Sequence, residues 1–290
     1  MVYIKLFNTE QDRQACTDKY EYLSYTVETD EVNIHPEEPP FFCKLTLNNG
    51  DVVEIEGSGE LTSAMTNSYK TTTVSAKIGD LCTSIGYNAF HWWEGLTSIT
   101  ISNNVTSIGN WALDYTPLSS IVIPDSVTSI GETAFSNCSR LTSVTIGNGV
   151  TSISNYAFYG CSSLSSITIP NGVTSIGDTS FMDCYSLSSI TIPNSVTGIS
   201  DNAFDSCMSL TSVTIGNSVT SIGNWAFKNC SSLSTITSLA TTAPTIGVST
   251  FRNVNNNGTL YVPSGSSGYD VWMGTGNYYL GKYNWTKVEQ

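Results

Sequence analysis

A pattern of apolar and polar positions returns every 23 residues through the middle of the chain. Nearly the same phrase, which reads LSSITIPNGVTSIGDTSFMDCYS over 164–186, opens at Leu141, Leu164, Leu187, Leu210 and Leu233. Leu118 and Leu96 continue the series upstream, at spacings of 23 and then 22 residues. A fixed period of roughly 20–50 residues indicates a solenoid, in which each repeat forms one coil that packs only on its neighbours.

Each position within the repeat has a physical role. In residues 164–169, isoleucines alternate with Ser166 and Thr168, and this period of two predicts a short strand with isoleucine inward and hydroxyls outward. The Pro-Asn-Gly sequence at 170–172 predicts a turn. The stretch around Phe181 predicts one helical or 3₁₀ turn on the back of the coil.

Equivalent positions of successive coils should stack in columns. The inward strand column is Ile99, Ile121, Val144, Ile167, Ile190 and Val213. The aromatic column on the back is Phe90, Phe135, Phe158, Phe181, Phe204 and Phe227, with Leu113 in one place. We therefore predict a single parallel sheet in roughly seven coils. Its strands should lie near 98–101, 120–123, 143–146, 166–169, 189–192 and 212–215.

The phrase L-x-x-I-x-I-P-x-x-V-x-x-I-G-x-x-A-F-x-x-C resembles the BspA-like leucine-rich repeats of bacterial surface proteins and of some phage and protist proteins. The resemblance covers about residues 73–251, and its departures are local: Thr116, Cys82 and Ser180 replace a cysteine, a valine and an alanine. It implies an α/β, β-rich fold: a right-handed, horseshoe-like solenoid with parallel strands on its concave face. It also implies an adhesion or interaction role without shared catalytic residues.

The two ends of the chain differ from the repeats. The first 60 residues hold 13 of the 24 acidic residues and four basic ones. Alternating runs at 2–7, 22–27 and 42–47 predict strands, and Asn49-Gly50-Asp51 predicts a hairpin turn. We interpret 1–72 as an acidic, β-rich amino-terminal module that covers the first coil, 73–238 as the repeats, and 239–290 as a degenerate repeat with a carboxy-terminal cap.

Charge and hydropathy exclude several partners. A net charge of −13 argues against nucleic acid and anionic membranes, because phosphate binding requires a basic patch. No run is long enough for a transmembrane helix. The start of the chain is broken by Lys5 and lacks the features of a signal peptide. We therefore expect a surface-exposed protein, on a cell or a virion, that is either already mature or exported by another route.

Neither cysteine nor histidine chemistry points to a reaction. One inward position is shared by Cys138, Cys161, Cys184, Cys207 and Cys230. Their side chains should point the same way, which disfavours disulfides, and no spacing suits zinc. The two histidines, His35 and His91, have no nucleophile arranged beside them. We expect buried free thiols, no metal, no cofactor and no enzymatic activity.

Two features could bind a partner. The first is a ladder of outward hydroxyls, broken at Val122: Ser98, Thr100, Ser143, Thr145, Ser166, Thr168, Ser189, Thr191, Ser212 and Thr214. The second is an aromatic cluster near the first coils, with Trp92, Trp111 and Tyr115, whereas Trp93 belongs to the core. The alternatives are that the hydroxyls merely suit a solvated strand, and that the aromatic residues contact the amino-terminal module.

The sequence therefore predicts a non-catalytic binding or adhesion protein that presents a leucine-rich-repeat surface to a host protein or glycan. The alternative is a structural component of a bacteriophage virion, associated with tail or capsid and involved in host attachment. In that case residues 1–72 would contact other virion proteins.

Overall fold

The computed structural model describes residues 39–276 and 278–290. The chain divides into two compact units, Met1–Phe41 and Phe42–Gln290, and the description below concerns the second. The strands predicted at 2–7 and 22–27, and His35, lie outside the described residues. The predicted boundaries after residues 72 and 238 stay predictions.

The described chain consists almost entirely of short strands joined by turns. In chain order the strands are β1 (Cys43–Leu47), β2 (Val52–Ile55), β3 (Gly59–Leu61), β4 (Thr73–Ile78), β5 (Cys82–Ile85), β6 (Ser98–Ile101), β7 (Ser107–Ile108), β8 (Ser120–Ile123), β9 (Ser129–Ile130), β10 (Ser143–Ile146), β11 (Ser166–Thr168), β12 (Ser175–Ile176), β13 (Ser189–Ile192), β14 (Gly198–Ile199), β15 (Ser212–Ile215), β16 (Ser221–Ile222), β17 (Thr235–Ser238), β18 (Thr245–Ile246), β19 (Thr259–Val262) and β20 (Thr286–Glu289). The helical residues of the described chain are α1 (Ser63–Thr66) and two 3₁₀ turns, Asn67–Tyr69 and Leu280–Tyr283.

The fold is a parallel β-solenoid of about ten coils. One strand of each coil contributes to the first side, in the spatial order β4, β6, β8, β10, β11, β13, β15, β17, β19 and β20. The estimate of seven coils was too low because the degenerate coils at both ends keep the same strand. Right-handedness and the concave curvature stay predictions.

All pairings among the predicted repeat strands are parallel and in register, such as Ser189 opposite Ser212. The sheet is not continuous, however. Its ladder of hydrogen bonds lapses between β6 and β8 and again between β11 and β13, leaving three groups of strands. The prediction of one uninterrupted sheet is therefore wrong at these two steps, whereas the strand positions are confirmed.

A second row of strands, two to four residues long, lies after the turn that follows the first strand of a coil. It contains β3, β5, β7 and β9 in one group and β12, β14, β16 and β18 in another. At the amino-terminal end, β1 and β2 form the predicted hairpin, and β1 pairs antiparallel with β4. The first sheet therefore begins with antiparallel strands and continues with parallel ones.

The back of each coil has two successive turns instead of the predicted helical turn. In one coil Tyr156 and Gly160, four residues apart, both have positive φ angles, 56° and 68°. Their N–H groups donate to Asp178 and Met182 of the next coil, each at 2.9 Å, while the Ala157 N–H donates within its own turn. A helix would direct every N–H along its own axis. The alternating backbone instead sends every second N–H to the neighbouring coil.

The Phe column forms the centre of the core. Phe158 and Phe204 stack on the two sides of Phe181 at centroid distances of 5.4 and 5.2 Å, with ring planes within 7° of parallel. The column continues to Phe251 and ends on the buried Trp272. Trp272 donates its indole N–H to the Pro244 carbonyl at 3.0 Å, so this buried ring has its polar group satisfied.

Removing one ring from this column should test the inward and outward assignment. We expect Phe181→Ala to lower the free energy of unfolding by about 3–5 kcal/mol, because the neighbouring coils cannot collapse into the cavity. The outward Ser166→Ala should change it by less than about 0.5 kcal/mol. Urea unfolding of both variants measures the difference, and equal losses would contradict the assignment.

Candidate binding surface

The outward side of the ten strands, which we call the strand face, carries two columns of side chains in strict register. The first column is Ser75, Ser98, Ser120, Ser143, Ser166, Ser189, Ser212, Thr235, Thr259 and Thr286. The second is Lys77, Thr100, Val122, Thr145, Thr168, Thr191, Thr214, Thr237, Tyr261 and Val288. The structure therefore brings all ten predicted hydroxyl residues together, and extends the surface beyond them at both ends.

The hydroxyls of the strand face differ from the neighbouring hydroxyl rows in their bonding. One residue before each strand, a row of hydroxyls donates to the carbonyl of the preceding coil, as Ser188 does to Ser165 at 3.2 Å. A row on the other side of the coil does the same, as Thr197 does to Thr174 at 3.3 Å. By contrast, the predicted binding hydroxyls, such as Thr145 and Ser189, make no hydrogen bond to a described protein atom. The ten predicted hydroxyls therefore remain available for a ligand.

The chemistry of the strand face is uniform and nearly uncharged. Lys77, at the amino-terminal end, is the one charged side chain in the two columns. Val122 breaks the second column, as predicted, and 64% of its side chain is exposed. Neutral hydroxyls can donate and accept hydrogen bonds, so the surface suits an uncharged polar partner.

The aromatic cluster lies on the turn segments of the first two coils. Trp92 and Tyr115 stack at 4.5 Å with ring planes 28° apart, and both are more than 40% exposed. Trp111 is partly buried and contacts Tyr87 edge-on at 5.4 Å. Trp93 is fully buried in the position that holds cysteine in later coils, which confirms it as a core residue.

The backbone conformation of these aromatic residues is unusual. Trp92, Trp111 and Tyr115 all have φ between 52° and 60°, in the left-handed region that favours glycine and asparagine. Later coils place Asn137 and Gly160 at the position of Trp92 and Tyr115. The turn geometry thus does not select aromatic side chains. A non-glycine residue in the left-handed region costs about 1–3 kcal/mol in backbone strain, and no periodicity in the sequence reveals that strain.

A buried carboxylate lies beneath this cluster. Asp114 is 3% exposed, its Oδ2 lies 3.3 Å from His91 Nδ1, and its Oδ1 has no hydrogen-bond partner in the described structure. Burial raises the pKa of Asp114 to about 6, although Ser136 and Asn137 lower it in part. Burial and Lys70 lower the pKa of His91. In a later coil the equivalent carboxylate, Asp205, is paired with Lys228 at 2.9 Å.

The exposed carboxylates of the second row have structural roles. Asp178 Oδ1 accepts the Asp201 N–H at 3.1 Å, and Asp201 Oδ1 accepts the Asn224 N–H at 2.7 Å. This ladder of side chains to the next backbone explains why Asp and Asn recur at the position. In the part of the chain that the structure describes, no group of three or more His, Cys, Asp or Glu side chains is arranged to hold a metal ion.

The five cysteines form the predicted inward ladder. Each thiol donates to a carbonyl of the preceding coil, as Cys184 does to Phe158 at 3.3 Å and Cys207 to Phe181 at 3.2 Å. Burial raises the pKa of the Cys138 thiol to about 11 and that of Cys184 well above its ordinary value. The hydrogen bond explains why this position favours cysteine over an apolar residue of the same size.

The solenoid geometry and the sequence together identify the family. Residues 64–185 and 151–268 match the BspA type leucine rich repeat region, in six copies. The match spans more than half of the chain, which therefore belongs to this family of leucine-rich-repeat proteins. Among the described residues, no helix has the length and apolar character that crossing a membrane requires.

Several solved structures are similar to this chain. The leucine rich repeat protein of T. pallidum is 23% identical, with a TM-score of 0.49, over 75% of this chain and 89% of that protein. A leucine rich cell surface protein of Faecalibacterium prausnitzii is 24% identical, with a TM-score of 0.39, over 83% and 85% of the two chains. The pneumococcal vaccine antigen PcpA is 16% identical, with a TM-score of 0.44, over 85% and 74%. No curated protein matches the chain.

The buried carboxylate of Asp114 predicts a specific pH dependence of stability. Its folded pKa, about 6, lies above the ordinary 3.8, so between these values the unfolded chain loses a proton that the folded chain retains. Stability should therefore fall as the pH rises through this window. We expect Asp114→Asn to be more stable than the parent by on the order of 2 kcal/mol at pH 7.5, and about equal to it at pH 4.

Urea unfolding at the two pH values measures this difference. The same comparison in a His91→Gln background removes the titration of the neighbouring imidazole. An Asp114→Asn variant that is destabilised equally at both pH values would show that the carboxylate has a partner in solution.

The ladder thiols should be unreactive in the folded protein. In a Cys16→Ser variant, which removes the cysteine outside the described residues, we expect no reaction with a disulfide reagent at pH 8. All seven described cysteines, which are free thiols in the structure, should react after unfolding without reductant. Fewer than seven would mean that some are paired.

Proposed function

We propose that this chain is a non-catalytic binding protein that presents its strand face, outside the cell that made it, to a protein or glycan on a host surface. The family consists of repeat proteins of surface-antigen type, and this membership supports a binding role. The single observation that carries the proposal is the bonding of the hydroxyls. The hydroxyls of the ten predicted binding residues make no side-chain hydrogen bond to a described protein atom, whereas the adjacent rows of hydroxyls join the coils.

The aromatic cluster supports a second contact area for the same function. Trp and Tyr are enriched where binding energy concentrates in interfaces. Trp92 and Tyr115 expose a stacked pair at left-handed backbone positions where the other regular coils have small polar residues or glycine. A partner that covers this pair offers a physical reason for their presence.

Three charged substitutions should separate these areas. We expect Thr145→Lys, Thr168→Lys and Thr191→Lys, combined in one variant, to reduce binding to host cells at least tenfold, because three unpaired ammonium groups would be desolvated at the contact. A second variant combines Trp92→Ala, Trp111→Ala and Tyr115→Ala. Flow cytometry with labelled protein measures binding, and circular dichroism confirms that each variant is folded.

The matched control carries the same added charge on the same coils but away from the strand face. Ser163, Ser186 and Ser209 lie 23 residues apart just after the turn segments, and none makes a side-chain hydrogen bond within the described chain. Their triple lysine variant should bind like the parent. If both test variants also bind like the parent, neither the strand face nor the aromatic cluster contacts the host cell, and the proposed binding residues are wrong.

A further inference from the structure

The centre of the strand face contains a cleft. The lapse between β11 and β13 divides the ten strands into five and five, and a cavity of about 400 Å³ lies at this step. The two coils remain joined on either side of it, by the Ser188 N–H to the Ser165 carbonyl at 3.2 Å and the Thr197 N–H to the Thr174 carbonyl at 3.0 Å. The opening is therefore local to the strands.

The residue that follows each strand explains the opening. A Cβ on Gly216 would lie 2.5 Å from the Pro193 carbonyl oxygen, and a Cβ on Gly147 would collide with the Pro124 backbone. Glycine thus lets a coil approach the proline of the coil before it. Between β11 and β13 a proline follows a proline, because Pro193 stacks on Pro170. The ring has no room for that close approach, so the strands separate.

The second lapse within the regular repeats follows the same rule. Between β6 and β8, Pro124 stacks on Ser102, so again neither coil has glycine in this position. At the intervening steps one of the two residues is Gly147, and the ladder is intact. Within the regular repeats the ladder thus lapses at the two steps where neither residue is glycine, whereas between β17 and β19 it is intact with Leu239 and Pro263 at this position. The substitution Pro193→Gly tests whether the proline keeps β11 and β13 from pairing.

The lining of the cleft is polar and has no charged side chain. The hydroxyl residues Ser166 and Thr168 of one strand lie beside Ser189 and Thr191 of the other, and Asn171 adds an amide at the end. All four hydroxyl residues are exposed and have no side-chain hydrogen bond to a described protein atom, and the buried Ile167, Ile169 and Pro193 complete the lining. Its volume falls within the roughly 300–1,000 Å³ of small-molecule sites.

We propose that this central cleft is a subsite for one uncharged, hydroxyl-rich unit of a glycan chain. Hydroxyls and an amide can donate hydrogen bonds to sugar hydroxyls and accept hydrogen bonds from them. An uncharged lining in a chain of net charge −13 disfavours anionic sugars. The inference rests on the proposed function and specifies its ligand and its residues.

Neutral oligosaccharides test the cleft directly. Calorimetric titration of the full chain with cello-, laminari-, malto- and manno-oligosaccharides should give saturable binding for at least one, and polygalacturonate should give none. We expect Pro193→Gly, which keeps every hydroxyl but lets β13 approach β11, to weaken that binding at least tenfold. Thr168→Val with Ser189→Ala, which removes two hydroxyls and retains shape, should weaken it about tenfold.

The matched control removes the same groups away from the strand face, at the exposed residues Thr151 and Ser175. Thr151→Val with Ser175→Ala should change the affinity less than twofold. The proposal is overturned if no neutral oligosaccharide binds, if Pro193→Gly binds like the parent although it folds, or if the control pair loses as much affinity as the cleft pair.

Binding assays on host cells distinguish failure of the glycan subsite from failure of the proposed function. Periodate oxidation of cell-surface sugars should abolish binding if the ligand is a glycan. A different result would overturn the glycan subsite: binding survives periodate, is lost after protease treatment of the cells, and is still lost in the triple lysine variant. That result would retain a protein ligand for the strand face.

Discussion

The structure depends on hydrogen bonding between coils in a fixed register, at a spacing of 22 or 23 residues through the regular repeats. Strand backbones, turn backbones, two rows of hydroxyls, a row of Asp and Asn side chains and the buried thiols all bond from one coil to the next. Because each coil contacts only its neighbours, these bonds and the stacked phenylalanines replace the long-range contacts of a compact domain. A repeat can vary only where its side chain takes no part in this stacking.

That constraint divides the positions of the repeat by function. The inward leucine, isoleucine, phenylalanine and cysteine positions fill the core, and the inter-coil hydroxyls and carboxylates satisfy backbone groups. The outward side chains of the strand face neither fill the core nor satisfy backbone groups, so their chemistry can vary to suit a partner. The turn segments add left-handed backbone positions in every regular coil, and in the first coils Trp92 and Tyr115 occupy such positions at an energetic cost.

Small changes at the turn position have consequences for the surface. Alternation of proline with glycine keeps neighbouring strands together, whereas Pro193 on Pro170 opens the sheet at its centre. The same face can therefore carry a regular array of hydroxyls and one local cleft without any change in the outward residues. Specificity in such a solenoid can come from the spacing of coils as well as from the side chains.

The sequence by itself determined the period, the inward and outward columns, the strand positions, the amino-terminal hairpin and the inward orientation of the cysteines. It could do so because a 23-residue repeat with a period-two strand leaves one arrangement that buries every apolar column. Only the tertiary structure decided the conformation of the turn segments, the number of coils, the burial of Asp114 and the lapse between β11 and β13. These depend on how closely two backbones from different coils approach, and on left-handed angles at Trp and Tyr that residue preferences oppose. Contacts of this kind exist only once neighbouring coils are stacked.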